Sequence, residues 1–208
     1  MARYTGADCR LCRRERMKLY LKGTRCEGPK CAIERRPYPP GQHGRIRIKE
    51  TEYLMQLREK QKARRIYGIM ERQFRNYYST AASQEGITGE NLLRLLETRL
   101  DNAVYRGSLA TSRDQARQLV LHRHLQVNGR TVNVPSFRVK PGDVIQVREK
   151  SRNLIPIQEA VALSESRVIP PWLDMSPTEL SLRVNDLPSR QMIDTPVQEQ
   201  LIVELYSK

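Results

Sequence analysis

The chain has 208 residues, with 37 lysines and arginines against 23 aspartates and glutamates, a net charge of +14. With 38% hydrophobic residues and only two phenylalanines it can fold, but its cores must be small, so one large or two modest domains are expected. No stretch is apolar for long enough to span a membrane and Met1-Ala2-Arg3-Tyr4 does not begin a signal peptide, so a soluble protein of a reducing compartment is expected, and its charge points to a polyanionic partner.

The charge is unevenly placed. Residues 1–50 are net +9, 51–97 net +2, 98–152 net +7 and 153–208 net −4. Arginine outnumbers lysine in both basic blocks, which suits planar, two-pronged contacts to phosphate. Nucleic acid is the leading partner class. A membrane surface is disfavoured, because no basic amphipathic helix rich in Trp and Phe is present.

All four cysteines, Cys9, Cys12, Cys26 and Cys31, lie at the start of the chain, in two short-spaced pairs separated by a basic loop. Such pairs can converge on one tetrahedral ion, with no coordination position left open for water or substrate. One structural zinc is the expectation. Spacing alone does not separate it from an iron–sulfur cluster, and disulfides would suit a secreted chain better. Around the cysteines stand Arg13, Arg14, Lys18, Lys22, Arg25 and Lys30, candidate phosphate contacts. The run from Arg35 and Arg36 to Gly44 holds three prolines and two glycines, which exclude helix and give a stiff extended arm. Its candidate contacts are Arg35, Arg36, Tyr38, Gln42 and His43.

From Thr51 to Ser79 apolar residues recur at helical steps, with a break suggested at Gly68. Lys60, Lys62, Arg64, Arg65 and Arg72 supply a cationic helical face. After a Gly86-Ile87-Thr88-Gly89 turn, Leu92, Leu93, Leu96, Leu100 and Val104 read as the stripe of one further helix. Ser112 to Gln115 reads as a capping box opening a helix that ends near Leu121 and places Arg113 and Arg117 together on one face. Leu125–Val127 alternates like a strand, Asn128-Gly129 suits a tight hairpin turn, and residues 130–134 form the partner strand. Lys140-Pro141-Gly142-Asp143 turns into another strand over 144–148. In the acidic last quarter, residues 180–184 and 201–205 read as short strands or docking segments.

Nothing points to catalysis. His43, His122 and His124 form no zinc-protease motif, and there is no nucleophile elbow, phosphate-binding loop or dinucleotide fingerprint. His122 and His124, flanking Arg123, read as RNA contacts or turn residues.

The segments Leu100 to Arg106, Ser112 to Val120, Val127-Asn128-Gly129 and Lys140 to Asp143 resemble the S-four RNA-binding module. The four cysteines, Arg36 to Gly44, Lys60 to Gly68 and Val203 to Lys208 extend the likeness, so that nearly the whole chain resembles the bacterial-type S-four family of small-subunit ribosomal proteins. The resemblance implies an α+β fold: an N-terminal metal-bound knot and arm over 1–49, a mainly helical domain over 50–98 completed by 165–208, and an inserted small α/β module over 99–164. It also implies a structural, non-enzymatic protein of the small subunit, a monomer within the ribosome. Its role would be to bind ribosomal RNA first, at a multi-helix junction, to nucleate assembly and support translational accuracy. Ribosomal proteins S-five, S-three and S-twelve would be its neighbours, with messenger RNA at the entry path a further partner. On the inserted module, Arg113, Arg117, Arg123, Arg130, Arg138 and Lys140 would clamp RNA backbone, with Asn128 setting a turn first and touching RNA second. The runner-up is an RNA-modifying or other RNA-binding protein that uses the module for substrate recognition. Two departures from the family pattern stand out: Gly107-Ser108-Leu109-Ala110 replaces a Leu-Gly-Phe-Ala-like run, and Arg123 stands where Gly is frequent between the two histidines. Arg adopts a left-handed turn less cheaply than Gly.

Overall fold

The structure, a computed structural model, describes residues 3–46, 49–164 and 167–207. The expected domain start at 165 and the closing Lys208 lie outside these. The chain divides into two compact units, one of residues 1–92 with 195–208, the other of residues 93–194.

The first unit opens with helix α1 (Asp8–Glu15), closed by Arg16 in the left-handed conformation at φ 56. A 3-10 turn at Gly23–Cys26 and the short helix α2 (Ala32–Arg35) follow. The proline arm then folds back so tightly that a side chain at Gly44 would collide with the Pro39 carbonyl oxygen. The long helical pattern resolves into α3 (Glu52–Ile66), capped by the Thr51 hydroxyl, and α4 (Glu71–Ala82). Gly68 makes the break between them, taking φ 63 at no steric cost. Helix α5 (Thr88–Glu97) crosses the division between the units.

Residues 201–205, read as a strand or docking segment, lie instead within a helix, α9 (Glu199–Ser207), packed on α3. A short, nearly continuous apolar run cannot be told apart as strand or buried helix by periodicity alone. Its anchors are Ile202, fully buried, and Tyr206, whose ring stacks on Tyr78 at 4.6 Å. Polar bonds fix its register. Buried Gln56 donates to Glu52 and Glu204, the Glu59 carboxylate accepts from the Gln198 amide at 3.0 Å, and the Tyr206 hydroxyl donates to Glu71 at 2.9 Å.

The second unit places α6 (Leu100–Arg106), α7 (Arg113–Leu121) and α8 (Ile155–Ala162) around one core with the sheet. Strands β1 (Leu125–Val127), β2 (Arg130–Thr131), β3 (Val144–Val147), β4 (Leu173–Ser176) and β5 (Ser181–Val184) pair antiparallel throughout, in the order β2-β1-β3-β5-β4. Leu125 faces Val147, Val127 faces Ile145, and Ile145 faces Leu182, so every second residue enters the core.

The architecture departs from the sequence reading in three further places. The single helix expected over 92–104 is two. Arg99 is extended and bridges Arg138, while the Thr98 carbonyl accepts from the Val139 amide at 2.9 Å, so the chain leaves helix to join residues 135–139. Residues 173–184 join the sheet of the second unit through the β3–β5 pairing, and only residues 195–208 return to the helical unit. The hairpin strand β2 stops at Thr131, short of the expected 134.

Candidate RNA interface

The four thiols stand on separate small elements: Cys9 and Cys12 on α1, Cys26 on the 3-10 turn, and Cys31 as the N-cap of α2. All are free, and Cys12, Cys26 and Cys31 are buried. Burial pushes the Cys12 thiol up to about 11; a hydrogen bond from the Leu19 backbone opposes this, and the other three sulfurs add to it. Burial likewise raises Cys26, against a hydrogen bond from the Lys22 amide at 3.3 Å. The thiols are therefore neighbours. Among the described residues, though, no three of His, Cys, Asp and Glu stand close enough to form a metal-holding group. The donor chemistry fits a structural metal: a dication would offset the repulsion among four thiolates, and backbone N–H groups already point at two of the sulfurs.

The same elements carry cations into one place. Arg10, Arg13, Arg25, Lys30, Arg35 and Arg36 line a cleft of about 250 Å³ beside Cys9. Arg25, Lys30, Arg35 and Arg36 are exposed, and their side chains have neither hydrogen bond nor ion pair among the described residues. Arg13 does a different job. Its Nε donates to the Tyr38 carbonyl at 3.0 Å, and its guanidinium lies 5.0 Å from the centre of the Tyr38 ring, so it straps the arm to α1. Lys18 pairs with Glu34, and Lys22 stands 3.6 Å from Asp8. Gln42 and His43 are exposed on the arm, and Arg14 lines a separate cavity of about 270 Å³.

The helical face anticipated on α3 is largely committed within the protein. Lys60 is buried and bonded to Glu71 at 2.8 Å, Arg64 bonds Glu71 at 3.1 Å, Lys62 pairs with Glu59, and Arg65 pairs with Glu15. Arg72, on α4, is exposed, and its side chain has neither hydrogen bond nor ion pair among the described residues.

In the second unit the Ser112 hydroxyl accepts from the Gln115 amide and so starts α7, while the Gln115 side chain accepts from the Thr111 amide. The shared face expected for Arg113 and Arg117 is split. Arg113 donates to Asn102 at 2.8 Å and lies over the Tyr105 ring at 4.4 Å. Arg117 is buried, bonded to Asp101 at 3.3 Å, and Asp101 also takes two bonds from buried Arg99, at 3.0 and 2.6 Å. A helix face read from spacing cannot reveal an acid on a neighbouring helix.

Arg123 takes the left-handed conformation at φ 62, and the Arg148 guanidinium donates to its carbonyl at 3.1 Å. Its own side chain is exposed. Ser108, in the other departing segment, is also left-handed, at φ 58. His122 bonds the Gln118 side chain at 3.1 Å and His124 bonds the Ser151 hydroxyl at 2.9 Å. Burial lowers the His124 pKa, and His122 and Arg148 lower it further, which keeps the ring neutral near pH 7. Asn128 works chiefly within the fold: its amide donates to Asp143 at 2.8 Å and its oxygen accepts from the Val144 amide at 2.9 Å. Arg130, Arg138 and Lys140 are exposed around that turn, with no side-chain hydrogen bond or ion pair among the described residues.

A family model described as Ribosomal protein S4/S9 N-terminal domain matches residues 3–97, and one described as S4 domain matches residues 98–145. The chain belongs to the uS4 family of ribosomal proteins. It is 66% identical over 208 residues to the small ribosomal subunit protein uS4 of Acidothermus cellulolyticus, covering 100% of both chains. The proteins of that name from Dictyoglomus thermophilum and Frankia casuarinae are 60% and 58% identical, again covering 100% of both chains. The family is structural, not enzymatic.

Arg10, Arg45 and Arg148 were not among the predicted contacts. Arg10 lines the cleft beside Cys9, and its place next to that cysteine is the signal that could have found it. Arg45 stacks on Tyr38 at 4.8 Å, and Arg148 holds the Arg123 turn; neither had a signal in the sequence beyond its charge.

Proposed function

We propose that this protein is a structural component of the cytoplasmic small ribosomal subunit, binding its ribosomal RNA early at a multi-helix junction and nucleating assembly there. The observation that carries this reading is the end-to-end similarity, 66% over the whole of both chains, to a protein named for that subunit.

Binding follows from polyanion chemistry. A-form RNA offers phosphates, 2′-hydroxyls and exposed loop bases rather than a readable major groove. Cations whose side chains have no hydrogen bond or ion pair among the described residues can meet phosphates without breaking the fold. In the first unit these are Arg25, Lys30, Arg35 and Arg36 in the cleft and Arg72 on α4, joined by Arg14 at its separate cavity and by Gln42 and His43 on the arm. In the second unit they are Arg123, Arg130, Arg138 and Lys140, with Arg113 presented on Tyr105. Arg117 and Lys60 act one step back, by holding helices in place.

One zinc on Cys9, Cys12, Cys26 and Cys31 belongs to the same proposal, ahead of an iron–sulfur cluster. It supplies a cross-link and no reaction. Its residues tie together the three elements that line the basic cleft. The neighbours S-five, S-three and S-twelve, the messenger RNA entry path and a monomeric state in the ribosome complete the reading.

Ultraviolet crosslinking of the tagged protein in its own cells, followed by sequencing of the attached RNA, tests it. Crosslinks gathered at one junction of small-subunit ribosomal RNA are expected. Crosslinks spread over transfer or messenger RNAs would overturn it.

A further inference from the structure

The sheet of the second unit has one covered and one open face. Leu125, Val127, Ile145, Val147, Leu182 and Val184 point into the core. The alternate residues point away from it, and the pairing register sets five of them in a single rank. Thr131 faces Gln126, Gln126 faces Gln146, Gln146 faces Ser181, and Ser181 faces Ser176. The rank thus crosses all five strands, one side chain per strand, at a spacing of roughly 4.8 Å. Every member is an uncharged hydrogen-bonding side chain. The Gln126 and Gln146 side chains have no hydrogen-bond partner among the described residues, so both side-chain amides present free donors and acceptors.

Those two glutamines also line a cavity of about 260 Å³ with Arg148, Lys150 and Arg152. The Arg152 Nε is buried there without a hydrogen-bond partner. The one acid in the lining is Glu149. Neutral donors and acceptors in the middle and cations at one end match a ligand with hydroxyls flanked by phosphates. A protein partner would instead need an apolar or aromatic anchor, and the rank offers none.

We infer that this open sheet face is a second RNA-binding surface, in which Gln126 and Gln146 hydrogen-bond 2′-hydroxyls of an A-form segment while Lys150 and Arg152 meet its phosphates. It rests on the ribosomal-RNA reading above and adds a contact face on the side of the sheet away from α7. The wide, shallow minor groove of A-form RNA presents 2′-hydroxyls to a flat surface of this kind, whereas helices and loops are not required to enter it.

The test uses the full chain assembled into small subunits, with the photoreactive residue benzoylphenylalanine placed at Gln146 and, separately, at Arg36. An RNA adduct from position 146, mapped to a base-paired segment, is expected. A protein-only adduct, or no adduct while position 36 crosslinks to RNA, overturns the second surface and leaves the ribosomal reading intact. Failure of both positions to reach RNA overturns both. On the RNA segment so identified, the Gln126→Ala/Gln146→Ala variant should bind about tenfold more weakly, as expected for losing two hydrogen bonds. The unmodified protein should lose a similar factor on the 2′-O-methyl form of that RNA, and the variant should lose no more. Equal binding of the unmodified protein to both RNAs would refute 2′-hydroxyl recognition. The Lys150→Ser/Arg152→Ser variant should lower the slope of log affinity against log salt by about two, and unchanged emission from Trp172 would show that the unit remains folded.

Discussion

Replacing Asp101 with Asn takes one negative charge from beneath two buried guanidinium groups. The carboxylate accepts from Arg99 Nε at 3.0 Å, from an Arg99 terminal nitrogen at 2.6 Å, from Arg117 at 3.3 Å and from the Asn102 amide at 2.9 Å. Arg99 is fully buried and Arg117 is 4% exposed, so water cannot stand in for the lost charge. An amide of the same shape can accept on one side only and carries no counter-charge. Removing one partner of a buried ion pair costs about 3–5 kcal/mol. For a unit of about 100 residues that lowers its melting temperature by on the order of 12–20 °C, at about 4 °C per kcal/mol. The chain has a single tryptophan, Trp172, 1% exposed in the core of this unit, so its fluorescence reports on this unit alone. Thermal unfolding of full-length Asp101→Asn followed at Trp172 should therefore show the midpoint shift, while circular dichroism below the transition still records the helical content of α3 and α4. A loss below about 1 kcal/mol would refute the view that Asp101 holds the module together. Arg117→Met, which leaves the two-bond Arg99–Asp101 pair in place, should cost less, about 1–3 kcal/mol. It should not change the salt dependence of RNA binding; a drop in slope of about one would return Arg117 to the RNA face.

Arg123→Gly should relieve the left-handed strain and stabilise the second unit by up to about 1 kcal/mol, while reducing the salt slope of RNA binding by about one. Trp172 unfolding and filter binding across a salt series read the two effects separately, and an unchanged slope would remove Arg123 from the interface. Cys9→Ser in zinc-supplemented protein should open residues 3–46 to protease and leave the Trp172 transition in place. Metal analysis should find about one zinc per unmodified chain, and an equally resistant, metal-free variant would refute the structural zinc. At Glu71, burial raises the carboxyl pKa, but hydrogen bonds from Lys60 and Tyr206 and the charges of Lys60 and Arg64 outweigh it, and the net shift is downward. Its contribution to holding α9 is thus complete above the ordinary glutamate range and is lost as pH falls through the depressed value in the folded protein. Protection of α9 amides from hydrogen exchange, relative to their intrinsic rates, should fall on acidification below that range, and Glu71→Gln should flatten the response. An identical pH profile in that variant would place the acid sensitivity elsewhere.

Local patterns decided much of this protein before any contact was known. The paired cysteines, the proline arm, the Ser112 cap, the Asn128-Gly129 turn and the break at Gly68 each follow from the conformational limits of residues close in the chain. The basic blocks likewise followed from composition, because the charge of a segment does not depend on how it folds. What tertiary structure alone decided are the pairings between distant residues. Residues 201–205 proved helical because Ile202 and Tyr206 find a seat among α3 and α4, and residues 173–184 joined the sheet because β5 finds β3. The largest difference lies among the cations. Arg117 and Arg123 are both arginines in one basic block, yet Asp101 draws the first into the core while a left-handed turn leaves the second facing solvent. Charge is written in the sequence, but whether it is available to a phosphate depends on the acids that folding brings to it.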